Sequence, residues 1–416
     1  MPPGTTLPMP RLTPATAANF VLAQVDRAFA LDPYPDYAVL REHAPICRQP
    51  DGSQVLTRYA DIREVLADAE RYSSDKRIDF RPRFGDSPLY EHHTTSIVFN
   101  DPPTHTRVRR LLAPFFAARV LRQMEGSIAT MVDRLLDRAA ERGRIDIVSE
   151  FALVIPLNLI GDLLGVPFDE REPLQAWAQQ ILGALEPVRT PAQLADGNRA
   201  VEEFKAYLRD LIARKRRAPP GSRDIDVLWA LIEASEGGDG LTELEILHNS
   251  IFMLNAGHDT TGALIANGVD LLFRHPDQAQ RLREQPSLVK PAIEEMLRYE
   301  SPLQIGNRRS TVATRIGDVD VPAGTFLHLV LASANRDERE FPQAEVFDIA
   351  RAPNRHVAFA HGIHTCAGNS VARIEAAIAF SKLVQRFPRM TQVEPTRRPE
   401  RSRFRVVEEL LVDLNP

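Results

Sequence analysis

Two stretches concentrate residue types that can do chemistry, and the sharper is Phe359 to Gly368, FAHGIHTCAG. It holds Cys366 in a loop bracketed by Gly362 and Gly368, directly before a run with apolar residues at Val371, Ile374, Ile378 and Leu383. That spacing predicts a helix from Asn369 to about Phe387. A thiolate just ahead of a helix is favoured by unpaired N–H groups and the positive end of the macrodipole. Glycines, lacking a Cβ, let the backbone turn sharply and lie close to a flat ligand. Such a loop suits a cysteine sulfur that must reach a metal at the centre of a planar macrocycle. A zinc site from His361, His364 and Cys366 is the competing metal reading, but no second Cys or His pair stands at ligand spacing nearby. The other cysteine, Cys47, lies beside Ile46 in a strand pattern and reads as a small buried hydrophobe.

The second stretch is Phe252 to Gly262, FMLNAGHDTTG. On a helix, Phe252, Ala256 and Thr260 fall on one face, with Asn255 and Asp259 on the adjoining stripe. Ala256 and Gly257 are small where a helix would otherwise crowd a flat neighbour. The Thr260 hydroxyl and Asp259 carboxyl are types that relay protons through water to a reacting oxygen. The blander alternative makes Gly257 a packing contact, pairs Asp259 with a surface base and bonds Thr260 back to a carbonyl. Asn255 places an amide in an apolar wall, which is costly unless the amide is satisfied. A backbone carbonyl, an ordered water or a polar group of a bound molecule would do so.

Two further motifs carry charge. Glu295 and Arg298, in EEMLRYESP, stand at i, i+3; alone they read as a solvated pair worth a few tenths of a kcal/mol. In DPPTHTRVRRLL, Asp101 reads as an N-cap and Pro102 as the first helical residue. His105 and Arg109 then share a face at i, i+4. Arg107 and Arg110 read as a solvated face, or as a basic patch for an acidic partner.

These residues need a scaffold to hold them. With 416 residues and 44% hydrophobic content, the chain can bury a large core without staples. Two cysteines give no disulfide framework, which suits a reducing cytosol. A net charge of −5 excludes a globally basic nucleic-acid binder. The Pro- and Thr-rich start has no apolar signal or anchor segment, so residues 1–20 read as a flexible lead. The apolar run Phe151 to Pro167 is broken by Pro156, Asn158 and Asp162 and reads as a buried helix, not a membrane span. A soluble, cytoplasmic protein is expected.

Strand signals are few. They are a hairpin about Asp51-Gly52, a cluster from Arg308 to Leu331, and a C-terminal run from Phe404 to Leu414. Helical patterns cover Tyr34–Glu42, Tyr59–Ala69, Thr106–Phe116, Gly126–Gly143, Asn198–Arg217, Glu243–His275 and Pro291–Tyr299. Ala218–Arg223 and Glu236–Gly240 read as surface connections, not boundaries, because the motifs straddle both. The expected fold is mainly α with small β-sheets (α+β), with residues 21–416 as one domain.

Together the motifs resemble the cytochrome P450 family. The cysteine loop fills F-x-x-G-x-H-x-C-x-G at Phe359, Gly362, His364, Cys366 and Gly368, with Ala360 where many members carry glycine. Ala256 to Thr261 fills [AG]-G-x-[DE]-T-[TS], and Glu295 with Arg298 fills E-x-x-R. The resemblance runs from about Asp32 to Leu414 and implies the family's triangular, helix-rich fold. It implies haem b, with Cys366 as the axial iron ligand and His105, Arg109, Arg308 and His364 on the propionates. It implies Asp259 and Thr260 as acid and alcohol of a proton relay. Glu295, Arg298 and Arg351 become a buried triad that fixes the cysteine loop. Pocket walls would come from Ser74–Ile97, Leu182–Arg189, Phe252, Asn255, Ala256, and Leu303 to Gly306. Lys76, Arg77, Arg81 and Arg83 read as an exposed mobile loop in preference to a carboxylate site.

The implied activity is a monooxygenase that hydroxylates a small, largely apolar organic substrate with O2. With no flavin or iron–sulfur segment in the sequence, electrons from NAD(P)H are expected through a separate ferredoxin and its reductase. A monomer is expected, without membrane or nucleic-acid partners. Two alternatives remain. A peroxide-driven peroxygenase or decarboxylase typically lacks the acid–alcohol pair, and a non-enzymatic haem–thiolate protein has no need of it.

Overall fold

The structure, a computed structural model, describes residues 11–219, 226–236 and 240–414. Its axis is the 32-residue helix Glu243–Arg274. Thr242 caps that helix in a reciprocal box with Glu245, satisfying two end groups at once. The helix is long and apolar on nearly every side, so other helices surround it. Val154–Leu164, Glu172–Gly183 and Pro191–Arg217 pack against it on one flank, and Val289–Tyr299 and Asn369–Arg386 on another. Beneath the second flank lies the largest apolar cluster, which includes Phe151, Ile265, Met296, Phe380 and Leu410.

Strands are confined to small sheets. The five-stranded one runs Ile46–Arg48, Gln54–Leu56, Phe326–Val330, Ile305–Ser310 and Tyr72–Ser73 in spatial order. Only the Gln54–Leu56 and Phe326–Val330 pair is parallel. The expected hairpin is present, with Ile46 opposite Leu56, and Cys47 is buried there. No described helix is long and apolar enough to cross a membrane.

Several expectations need correction. The C-terminal run is a strand only at Leu411–Asp413; Phe404 makes a lone bridge to Leu303. Ser74–Ile97 is no mobile loop. It folds as the helices Arg77–Phe84 and Pro88–Thr95, because Phe80, Leu89, His92 and His93 are buried and Ser87 caps the second helix. The helices Glu172–Gly183 and Pro276–Glu284 were not anticipated. Of the expected flexible lead, residues 1–10 lie outside the described residues, while Ala17 and Phe20 are buried beside Leu40 and Val55. Most of the expected connection at Ala218–Arg223, and part of Glu236–Gly240, also lie outside the described residues.

Candidate active site

The cysteine loop is wound by its own backbone. Cys366 N–H donates to the Phe359 carbonyl at 3.0 Å, and Thr365 closes a turn onto the Gly362 carbonyl with both N–H and hydroxyl. Gly362 has φ +74°, and a Cβ there would collide with the Leu66 carbonyl, so only glycine fits. Ala360 also has positive φ, at +58°, which gives a physical reason for glycine at this position in a related loop. A Cβ built on Gly368 would meet nothing within 4 Å, which leaves the backbone open to a flat ligand. Phe359 packs under the Arg373 guanidinium, 4.6 Å from ring centre to carbon.

Cys366 is half-buried, and the helix behind it begins at Asn369. Burial pushes its thiol up, against the Gly368 N–H and the charges of Arg109 and Arg373. Burial thus opposes what the helix terminus favours, and ligation to a metal would require the thiol proton to leave.

Above the loop converges a set of nitrogen donors. His105 and His364 touch, with ring centres 4.1 Å apart, and Arg109 donates to the Thr365 carbonyl at 2.8 Å. Arg308 is buried and donates to its neighbour's carbonyl at Asn307. Lys76, unforeseen in this role, is fully buried with no partner on Nζ; His105 Nδ1 and His364 Nε2 also lack partners. Burial first, then Arg308, lowers Lys76 to about 7. Burial, Arg308 and His105 drive His364 down to about 2. So many mutually repelling donors with unmet capacity fit the two carboxylates of a haem. Lys76 was missed because its neighbours in sequence are charged; only the fold shows that it points inward.

Asp101 does not cap the next helix, which runs Thr104–Leu112. Its carboxylate instead accepts from the Ser74 N–H at 2.8 Å and from the Ser73 hydroxyl. Arg107 is no solvated cation either, since it is paired with Glu245.

On the long helix the two faces separate as expected. Phe252, Ala256 and Thr260 are only partly buried, while Asn255 and Asp259 are buried. Gly257, however, turns away: a Cβ there would run into Ile160 of the neighbouring helix, so it is a packing contact. Thr260 donates to the Ala256 carbonyl at 2.6 Å. Asp259 accepts from His258 Nδ1 at 3.0 Å and faces Arg401 at 3.7 Å. Each local alternative weighed for this motif is thus realised. None removes the hydroxyl or carboxyl from reach, because a single hydrogen bond leaves either group further capacity. Asn255 is 1% exposed and neither amide atom has a partner. Leu303 bridges to Phe404, and Gly306 sits opposite Leu329 in the five-stranded sheet.

Glu295 and Arg298 form a doubly bonded, fully buried pair at 2.8 Å, and Arg351 adds a third contact at 3.1 Å. The pair ties its helix to the segment 335–354 through the carbonyls of Asn335, Ala344 and Val346. The direct tie to the cysteine loop comes from the preceding residue. Glu294 holds Arg373 and His356, and although burial opposes it, its bonds to those two partners bring it down to about 2.

Comparison with known proteins meets this geometry from outside. The family model described as Cytochrome P450 matches residues 43–410. Cytochrome P450 107B1 of Saccharopolyspora erythraea is 40% identical, over 88% of this chain and 90% of its own. Vitamin D(3) 25-hydroxylase of Pseudonocardia autotrophica is 38% identical, over 85% and 86%. The crystal structure of P450BioI, in complex with a hexadec-9Z-enoic acid ligated acyl carrier protein, superposes with TM-score 0.87 at 33% identity, covering 94% of this chain and all of that one. A cysteine loop, a nitrogen-rich cradle above it and a likeness spanning nearly the whole chain have one common explanation: this chain belongs to the cytochrome P450 family, haem-dependent monooxygenases of helix-rich fold.

Proposed function

We propose that Cys366 would ligate the iron of haem b and that His105, Arg109, Arg308, His364 and Lys76 would receive its propionates. The observation that carries this reading is the convergence of unpartnered buried donors directly above the cysteine loop. The haem supplies activation of O2 for insertion of one oxygen atom. The chain's own residues hold the cofactor, exclude water and move protons. Asp259, held by His258 and faced by Arg401, supplies protons, and the Thr260 hydroxyl, whose lone pairs stay free to accept, orders the proton-carrying water in the chamber beside Ala256. Phe252, Ala256, Leu303 and Gly306 line the wall that receives a largely apolar organic substrate. Electrons come from NAD(P)H through a ferredoxin-type protein and its reductase. Residues 21–416 act as one catalytic domain, in a monomeric cytoplasmic protein. The vitamin D(3) hydroxylase among the relatives supports oxygen insertion into an apolar skeleton.

The test is the reduced carbon monoxide complex. A red-shifted Soret band, lost in Cys366→His, is expected; its persistence in Cys366→Ser would remove the assignment. Turnover with NADH and redox proteins, compared with hydrogen peroxide, separates the monooxygenase from a peroxygenase.

A further inference from the structure

Beside the propionate cradle the chain gathers more positive charge than the haem carboxylates account for. Three arginines remain once Arg109, Arg308 and Lys76 are assigned. Arg83 lies 5.6 Å from the Phe326 ring, and Arg189 lies 5.8 Å from the Phe84 ring. Arg403 is 8% exposed, and its guanidinium makes no hydrogen bond or ion pair among the described residues. Arg83 has no ion pair among them either, and Arg189 reaches only the carbonyls of Glu186 and Pro187.

Three acids stand among these cations and offset part of their charge. Asp79 holds Arg309 through one oxygen while its Oδ2 has no partner, and Asp51 accepts from Ser53; both act on Arg83. Glu186 accepts the N–H groups of Ser402 and Arg403 at 3.0 and 2.9 Å and faces Arg401. Burial, and then Arg83, lowers Arg189. Arg403 is brought to about 10 by burial, with Arg83 adding to the fall against the pull of Glu186. Cations gathered this way destabilise one another unless an anion joins them.

Beside the arginines lies an apolar bed. Phe80, Phe99, Leu182, Leu185 and Phe404 form one cluster, with Phe84 against it. His93 contacts Phe80, Phe84 and Phe99 and is 1% exposed, with both ring nitrogens unpartnered. The bed leads to the long helix, because Arg401 of the same C-terminal turn reaches Asp259, one helical turn from the unpartnered amide of Asn255.

We propose that the substrate is a carboxylic acid with an apolar body. Its carboxylate is received by Arg83, Arg189 and Arg403, and its body lies along the phenylalanine bed toward Asn255. Arg189 stands in the segment between two helices beside the exposed Val188, so the acid group sits at the mouth and the carbons to be oxidised lie deeper. This rests on the monooxygenase reading of the chamber and names its substrate class.

The test uses holoenzyme and Soret titrations with dodecanoic, 4-cyclohexylbutyric and naphthalene-2-acetic acids, each beside its methyl ester. At least one acid should bind about ten-fold tighter than its ester. Arg83→Gln and Arg403→Gln should each erase most of that preference while ester binding stays put. The carbon monoxide band of each variant verifies its fold. If no acid outbinds its ester, silence included, or if the variants weaken acid and ester alike, the proposal is overturned. A wild-type protein without the thiolate band would instead overturn the haem–thiolate reading, and the proposal with it.

Discussion

His105 and His364 stand ring against ring, 4.1 Å between centres and tilted by 48°, although 259 positions separate them in sequence. One belongs to the helix Thr104–Leu112 and the other to the cysteine loop, so their contact joins the two halves of the cofactor cradle. Burial lowers both rings, and each lies near Arg109 and Arg308, which lower them further. Neutral imidazoles here keep an N–H to donate without adding to the repulsion.

That contact predicts coupled losses. His105→Ala and His364→Ala should each speed haem transfer to apomyoglobin about ten-fold, at the 1.5–3 kcal/mol scale of a charge-assisted hydrogen bond. Because the rings touch, the double variant should fall short of the product of the two. Lys76→Met should act in the same direction, whereas Arg110→Ala should leave the rate alone. Equal rates in all five proteins would dissolve the cradle.

Thr260 offers a second measurement. Its hydroxyl spends its proton on the Ala256 carbonyl, which leaves its lone pairs to accept. Thr260→Ala should retain haem and still consume NADH, with reducing equivalents diverted to hydrogen peroxide. Thr260→Ser should restore most of the coupling. Asp259→Asn should chiefly slow turnover, by roughly one to two decades, the scale of a lost proton-transfer group. Coupling of NADH to product that is indifferent to the hydroxyl would rule out the relay.

Glu295 is the hub of a buried ionic group. Besides Arg298 and Arg351, it accepts from the Asp348 N–H and the Asn354 amide. Glu295→Gln would leave two guanidiniums without their acid, a loss of about 3–5 kcal/mol. The urea midpoint of the holoprotein should fall accordingly. An unchanged midpoint would mean that the arginines are held by their carbonyl contacts alone.

What the sequence made legible follows from where the signal is local. The Cys366 loop and the long helix are written in consecutive residues and stand in the structure as their spacing predicts. The Glu295–Arg298 pair forms too, but fully buried, where spacing alone read it as solvated and only the family resemblance implied burial. Lys76, Arg83 and Arg403 were illegible, since their charge reads as surface whatever the chain does around them. Lys76 and the half-buried Arg83 both lie against Phe326, far along the chain, and Arg403 is carried inward with its neighbour Phe404, which packs in one cluster with Phe80 and Phe99. Gly257 misled for a related reason. Which side of a helix meets a cofactor and which meets another helix depends on Ile160, about a hundred residues earlier. The helix Arg77–Phe84 was hidden by Pro82 and four basic residues near it, a composition that normally marks loops.

The last prediction concerns a group outside the chemistry. Glu375, on the helix that follows Cys366, is 2% exposed, and its Oε1 has no partner. Burial alone raises its carboxyl from 4.5 to about 8. Between those values the folded protein keeps a proton that the unfolded chain has released. Stability must therefore fall as pH rises through the interval and level off above it, by about 1.4 kcal/mol for each pH unit crossed. Glu375→Gln keeps the shape and removes the titration. Urea unfolding should show variant and wild type alike near pH 4 and the variant more stable by about 5 kcal/mol near pH 9, the full width of that interval. Parallel pH profiles would mean that Glu375 finds a partner in solution and ionises normally.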